Sequence, residues 1–223
     1  MAASLPNHLM STTDSSSRPP RSPFAVDGAP GPVFPQSRLA RVLLGWFGWK
    51  LRFSDLPAWQ GVIVVYPHTS NWDFPLGVLA KWALGLQVRY WAKDSLFRVP
   101  VLGAFMRHIG GIPVDRSAAH GVVGQTVQEM RDARSTGRLC WLVVAPEGTR
   151  KAVPGWKSGF YRVAVGANVP IGIAAFDYGK REIRLHDYFL PCGDESQDLQ
   201  HLARLLEGVR GYHPEQAAPI RLR

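Results

Sequence analysis

The sequence has few cysteines and no long apolar run, and each scarcity excludes a class of protein. Cys140 and Cys192 are the only cysteines among 223 residues. Two thiols at this spacing make neither a metal-binding cluster nor a disulfide framework, so we expect a reducing compartment and no metal. No apolar run reaches about 18 residues, so no transmembrane helix is predicted. The start also lacks the basic flank and apolar core of a signal peptide.

Acidic residues are scarce relative to basic ones. The chain carries 26 lysine and arginine residues against 17 aspartate and glutamate residues, which gives a formal net charge of +9 and a pI of about 10.0. This balance indicates an anionic partner, namely nucleic acid, a membrane surface or a phosphorylated substrate. Because the basic residues are scattered and form no nucleic-acid-binding motif, we expect an anionic membrane surface and no nucleic acid.

Composition divides the chain into three parts. Residues 1–37 hold seven of the 18 prolines together with many serines, which predicts a disordered tail. Residues 38–58 form a basic amphipathic segment, and residues 59–223 form the remaining domain. The amphipathic segment can lie in a membrane interface, but it can equally pack on its own domain with solvated arginines. The aromatic residues expected at the membrane surface are Trp46, Phe47 and Trp49.

After this segment, short apolar runs alternate with helical patterns. The predicted strands are 62–66, 88–92, 112–115, 139–145, 170–176 and 182–187, and the last two are expected to form a hairpin. The predicted helices are 76–86, 95–107, 118–134, 158–167 and 196–209. This order predicts a single-domain α/β sandwich with a mostly parallel central sheet flanked by helices, preceded by an amphipathic N-terminal helical segment.

The first candidate site is the turn that joins strand 62–66 to the helix beginning near residue 76. His68 and Asp73 lie in this turn, where ligands bind in open α/β sheets. An imidazole beside a carboxylate can take a proton from a hydroxyl. On a regular helix the two side chains would diverge, and an Asp at this place is often an N-cap. Pro75 instead favours Phe74 as the cap, which leaves Asp73 outside the helix and facing His68.

Two further groups of polar residues follow predicted strands. Strand 139–145 leads into Glu147-Gly148-Thr149-Arg150, and Arg116 closes strand 112–115. A guanidinium fork suits phosphate. Glu147 can accept hydrogen bonds from hydroxyls of a substrate or hold Arg150 in place. The alternative is an ordinary polar turn with solvated arginines.

The three groups in this order, a His-x-x-x-x-Asp motif, Arg116 and Pro-Glu-Gly-Thr-Arg, resemble the glycerolipid acyltransferases, that is, the lysophospholipid or 1-acylglycerol-3-phosphate acyltransferase family. The segments 156–160 and 169–171 look like later blocks of the same family, so that the resemblance covers roughly residues 60 to 178. It implies transfer of a fatty acyl group from acyl-CoA or acyl carrier protein to a hydroxyl of a lipid or lysolipid, without a cofactor. It also implies a cytoplasmic enzyme of phospholipid biosynthesis, peripheral at the inner face of the membrane.

The same resemblance assigns roles to residues of this chain. His68 would be the base and Asp73 its orienting carboxylate. The positions that match the acceptor-binding residues of the family are Arg116, Glu147, Gly148, Thr149 and Arg150.

The sequence departs from the family pattern at Pro113, Ala145 and Lys151. Because these positions surround the expected acceptor, a lysophospholipid, a glycolipid or another hydroxylated acceptor stays open. Two other classes stay open as well. One is a lipid-binding protein of the same fold without activity. The other is a metal-dependent phosphohydrolase that uses His68, Asp73 and Glu147 as ligands.

Overall fold

The computed structural model describes residues 35–115 and 119–223. Most of the predicted tail, residues 1–34, and the predicted site residue Arg116 therefore lie outside the described residues. The first helix begins at Arg38, where the Ser37 side chain accepts a hydrogen bond of 3.2 Å from the backbone N–H of Ala40. A serine in this position caps the helix N-terminus.

The elements follow the predicted alternation. The helices are α1 (Arg38–Trp46), α2 (Asp73–Leu84), α3 (Pro100–His108), α4 (Ala119–Ser135), α5 (Gly159–Ala167) and α6 (Glu195–Leu205). The strands are β1 (Lys50–Phe53), β2 (Gln60–Tyr66), β3 (Arg89–Lys93), β4 (Gly111–Val114), β5 (Cys140–Val144), β6 (Ile171–Asp177) and β7 (Glu182–Phe189). Short 3₁₀ turns cover Asp94–Arg98 and Pro214–Gln216.

The strands form one sheet in the order β1-β7-β6-β2-β5-β3-β4. Neighbouring strands from β6 to β4 pair in parallel, whereas β7 runs antiparallel to β6 and parallel to β1. The predicted mostly parallel sheet and the β6–β7 hairpin are thereby confirmed. The carboxyl ends of the five parallel strands meet at one edge of the sheet, which we call the carboxyl edge. Because β1 runs in the opposite direction, it begins at this edge, with Lys50 beside Glu182.

Two predicted helical segments differ most from the structure. The N-terminal helical segment ends at Trp46, and the chain then turns at Gly48, with φ of +74°, to add β1 to the sheet. The predicted helix 95–107 is split, because Pro100 disfavours helical geometry at the residue before it. Val99 accordingly has ψ of 118°, and α3 starts at the proline.

Side chains of successive strand residues point to opposite faces of the sheet and fill two cores. Val62 and Val64 of β2 pack with α4, α5 and α6, and Ile63 packs with α1 and α2. This packing covers both faces of the central strands, as a parallel sheet requires. None of the helices in the described parts of the chain combines the length and apolar character needed to cross a membrane.

Candidate active site

His68, in the turn between β2 and α2, and Asp73, the first residue of α2, come together at the carboxyl edge. The Nδ1 atom of His68 lies 3.2 Å from Oδ2 of Asp73, and their side chains are 18% and 1% exposed. The separation suits a hydrogen bond, but Nδ1 makes no well-aligned hydrogen bond to any described residue. Nδ1 is the ring nitrogen that faces the Asp73 carboxylate. Nε2 is then the nitrogen left for a substrate.

The predicted capping of α2 was wrong in detail. Asp73 is the first residue of the helix and Trp72 is the cap, so Asp73 does not lie outside the helix. Pro75 fits the first turn because the backbone N–H groups there have no intrahelical partner. The Asp73 carboxylate nevertheless turns inward. Its Oδ2 accepts a hydrogen bond of 2.8 Å from the N–H of Ser70, and its Oδ1 accepts one of 2.6 Å from the hydroxyl of Tyr178.

Contacts from distant parts of the chain fix the rest of the turn. Arg150 Nε donates to the Ser70 carbonyl oxygen at 3.1 Å. The backbone N–H of His213 donates to Thr69 Oγ1, also at 3.1 Å. Gly211 packs so close to Thr69 that an added Cβ would lie 2.6 Å from Oγ1. The turn is therefore held between the loop after β5 and the C-terminal segment.

Glu147 is buried beneath the turn. It is 1% exposed, and its two carboxylate oxygens accept hydrogen bonds from the backbone N–H groups of His68, at 2.6 Å, and Ala218, at 2.9 Å. Burial raises the pKa of Glu147 above its ordinary value, while the hydrogen bonds from Ala218 and His68 act in the opposite direction. In this structure, then, the carboxylate of Glu147 is bonded to backbone amides near the His68–Asp73 pair.

The remaining predicted residues after β5, Gly148, Thr149 and Arg150, follow Glu147 in the same loop. Gly148 has φ of +66°, and an added Cβ there would lie 3.2 Å from Cε of Lys157, whose side chain passes over it. Thr149 Oγ1 accepts a hydrogen bond of 3.3 Å from the N–H of Lys151. Arg150 is exposed while its Nε is bonded to the turn. A cation thus lies at the surface within reach of the His68 turn.

Sequence reasoning missed Tyr178 and the C-terminal segment. Tyr178 directly follows the carboxyl end of β6, which is the same criterion that selected Glu147 after β5. Tyrosine is also an ordinary core residue, so its position after a strand does not by itself mark it as functional. Ala218 and His213 act through backbone groups, and no sequence signal marks such contacts.

Fold and site together define an α/β protein whose His–Asp pair, at the carboxyl edge, can accept a proton from a hydroxyl. The sequence profile of the Acyltransferase family matches residues 50–174, more than half of the chain. The protein belongs to this family, which confirms the resemblance seen in the motifs.

The fold is similar to the crystal structure of the 1-acyl-sn-glycerophosphate (LPA) acyltransferase PlsC from Thermotoga maritima. The TM-score is 0.50 and the sequence identity 18%, with 75% of this chain and 73% of that chain covered. At this identity the likeness concerns the fold alone. A search of curated proteins found no match.

Proposed function

We propose that the protein is a glycerolipid O-acyltransferase. It would move a fatty acyl group from an acyl thioester, either acyl-CoA or acyl carrier protein, to a hydroxyl of a lysophospholipid or related acceptor. The observation that carries the proposal is the His68–Asp73 pair at the carboxyl edge, with 3.2 Å between Nδ1 and Oδ2. Membership of the Acyltransferase family supports the same chemistry.

In this reaction the acceptor oxygen attacks the carbonyl carbon of the thioester as Nε2 of His68 takes the hydroxyl proton. The carbon–sulfur bond then breaks, and the imidazolium returns the proton to the leaving thiolate. Asp73 faces Nδ1, so it would hold the ring in the tautomer that leaves Nε2 basic and would stabilise the imidazolium. General-base help of this kind contributes roughly 10² to 10⁴-fold.

The acceptor would bind beside the turn, on the residues that follow β4 and β5. Arg150 is the best supported of these, because it is exposed and bonded to the carbonyl oxygen of Ser70. Its planar guanidinium can make paired hydrogen bonds to a phosphate. We assign Arg116, Gly148 and Thr149 to the same acceptor site. Glu147 would support this acceptor site indirectly, because its carboxylate accepts a hydrogen bond from the backbone N–H of His68.

Helix α1 would bring the enzyme to its lipid acceptor. Its buried residues are Ala40 and Leu44, whereas several of its other apolar residues face outward. The exposed ones, in α1 and directly after it, are Leu39, Val42, Trp46 and Phe47. Trp49 is not among them, because it is 9% exposed and packs edge-on against Tyr178. Since β1 begins at the carboxyl edge, the C-terminal end of α1 lies near the edge that holds His68.

A second apolar surface supports this orientation. It follows the carboxyl end of β3 and consists of Leu96, Val99, Val101, Leu102 and Phe105, all at least 38% exposed. The basic residues beside it are Lys93, Arg98 and Arg107. Apolar side chains flanked by cations suit the surface of an anionic membrane. We therefore propose peripheral binding at the cytoplasmic face of the membrane.

The proposal is tested by incubating the purified full chain with a long-chain acyl-CoA and a panel of lysophospholipids and glycolipids. Release of free thiol that depends on an acceptor, with a diacylated product by mass spectrometry, is the expected result. Thiol release without any acceptor would indicate a thioesterase instead. Turnover of a phosphate ester that a chelator abolishes would favour the phosphohydrolase, and lipid binding without thioester consumption would favour the inactive binding protein.

A further inference from the structure

Tyr178 lies in the turn between β6 and β7 and contacts the proposed catalytic pair at the Asp73 oxygen that does not face His68. Its hydroxyl donates a hydrogen bond of 2.6 Å to Oδ1 of Asp73. The other oxygen of Asp73, Oδ2, accepts from the N–H of Ser70 and lies 3.2 Å from Nδ1 of His68. The two carboxylate oxygens therefore have separate partners, so rotation of the carboxylate would break a bond on either side.

The ring of Tyr178 is itself fixed. Its centroid lies 4.8 Å from that of Trp49 and 5.3 Å from that of Tyr212, and both contacts are edge-on. Its backbone N–H donates to the carbonyl oxygen of Arg210 at 2.8 Å. Contacts from the start of β1 and from the C-terminal segment thus hold the hydroxyl in place.

We propose that Tyr178 is a positioning residue, which holds the Asp73 carboxylate in the plane that keeps Oδ2 on the imidazole of His68. The inference rests on the proposed acyl transfer and adds to it a residue beyond the 50–174 segment that matches the family. Burial and the neighbouring Asp73 carboxylate raise the pKa of Tyr178 above its ordinary value. The hydroxyl consequently stays protonated and remains a donor throughout the neutral range.

A buried carboxylate needs hydrogen-bond donors for stability alone, so the test must separate positioning from packing. Tyr161 provides the matched control, because its hydroxyl donates to Oδ2 of Asp198 at 2.8 Å in another part of the fold. Tyr178→Phe and Tyr161→Phe each remove one hydroxyl from a Tyr–Asp hydrogen bond, which is partly buried for Tyr178 and buried for Tyr161. If Tyr178 positions Asp73, the first change alone will impair the chemical step.

The experiment measures kcat and both KM values for acyl-CoA and the best acceptor of the panel. Tyr178→Phe should lower kcat about tenfold and leave both KM values within about twofold, because a hydrogen bond to a charged group is lost but no substrate contact. Tyr161→Phe should retain the parent kcat. The same change is also made in the Asp73→Asn variant, and the rate of acyl transfer is measured in single turnovers. There Tyr178→Phe should lower the rate less than twofold further, because it acts through the carboxylate that is already lost.

Replacing residue 178 with 4-aminophenylalanine keeps the ring and an N–H donor. This variant should therefore restore at least half of the activity that Tyr178→Phe loses. It also tests the inference if the Phe variant does not fold. The inference is overturned if Tyr178→Phe folds and keeps the parent kcat, if both KM values rise with an unchanged kcat, or if its effect is equally large in Asp73→Asn. An inactive parent would overturn the proposed function and this inference together, whereas an active parent with a fully active Phe variant overturns the inference alone.

Discussion

One carboxylate oxygen of Glu147 accepts a hydrogen bond from the backbone N–H of His68, with 2.6 Å between oxygen and nitrogen. Its other oxygen accepts the N–H of Ala218 at 2.9 Å. A single buried side chain therefore joins the loop after β5, the turn after β2 and the C-terminal segment. The proposed base is held in place from its own backbone as well as through Asp73.

Replacing Glu147 with Ala should destabilise the protein, because two backbone N–H groups would lose their buried acceptor. Each unsatisfied group costs about 1–3 kcal/mol, so we expect the free energy of unfolding to fall by about 2–6 kcal/mol. Urea titration followed by circular dichroism measures the loss. Glu207→Ala, at an exposed glutamate, is the control and should change stability by less than about 0.5 kcal/mol. A loss under about 1 kcal/mol for Glu147→Ala would contradict the structural role.

Glu147 should also give stability a dependence on pH. Burial raises the pKa of its carboxyl in the folded chain, so the folded state binds the proton more tightly than the unfolded state does. Stability from this group is therefore present at low pH and is lost as pH rises through the folded-state pKa. The free energy of unfolding of the parent minus that of Glu147→Gln should decrease as the pH rises above about 4, which is near the ordinary pKa of glutamate. A difference that grows with pH would show that the pKa is lowered instead.

Removing the proposed base should abolish most turnover without unfolding the chain. His68→Ala is expected to lower kcat by about 10² to 10⁴-fold. Asp73→Asn should also be severe, because the amide favours the wrong imidazole tautomer. His186 offers a matched control, since its Nδ1 lies 3.1 Å from Oδ1 of Asp187 on β7. His186→Ala should keep full activity. A folded His68→Ala variant with most of its turnover would rule out the mechanism.

The arginines predicted for the acceptor site should affect one substrate more than the other. Arg150→Ala and Arg116→Ala should each raise KM for a phosphate-bearing acceptor about tenfold or more and change the KM of the donor little. Arg131 is an exposed arginine that donates to a backbone carbonyl, as Arg150 does, but on α4. Arg131→Ala should leave both KM values unchanged. Equal effects on donor and acceptor would refute the assignment.

Membrane binding should depend on the outward face of α1. Trp46 is 82% and Phe47 60% exposed, so Trp46→Glu combined with Phe47→Glu should release the protein from vesicles that contain phosphatidylglycerol. Parental binding should weaken with salt, because each lysine or arginine near an anionic surface contributes about 1 kcal/mol. Co-sedimentation measures the bound fraction, and activity on a short-chain soluble acceptor should persist. Trp59→Glu, at an exposed tryptophan just before β2, is the control. Undiminished binding of the double variant would place the membrane contact elsewhere.

The placement of the proposed base could be predicted from the sequence because its signals are local. A β-branched run ending at Pro67 marks a buried strand, and Pro75 marks the first turn of a helix. His68 and Asp73 must then lie close together, within the few residues that join this strand to this helix. The alternation of strands and helices also predicts a parallel sheet, whose carboxyl ends bring the residues after β2 and β5 to the same edge.

Contacts between segments far apart in the chain were decided by the tertiary structure alone. Lys50–Phe53 was expected to belong to the amphipathic helical segment and instead becomes β1, because it pairs with β7, some 130 residues later. Trp49 was predicted to face the membrane, but the same pairing turns it onto Tyr178. The partners of Asp73 and Glu147 likewise come from the β6–β7 turn and from the backbone of Ala218. Local propensity determines whether a segment forms a strand or a turn. The order of the strands in the sheet determines which distant groups contact that segment, and this order follows from the packing of the whole chain.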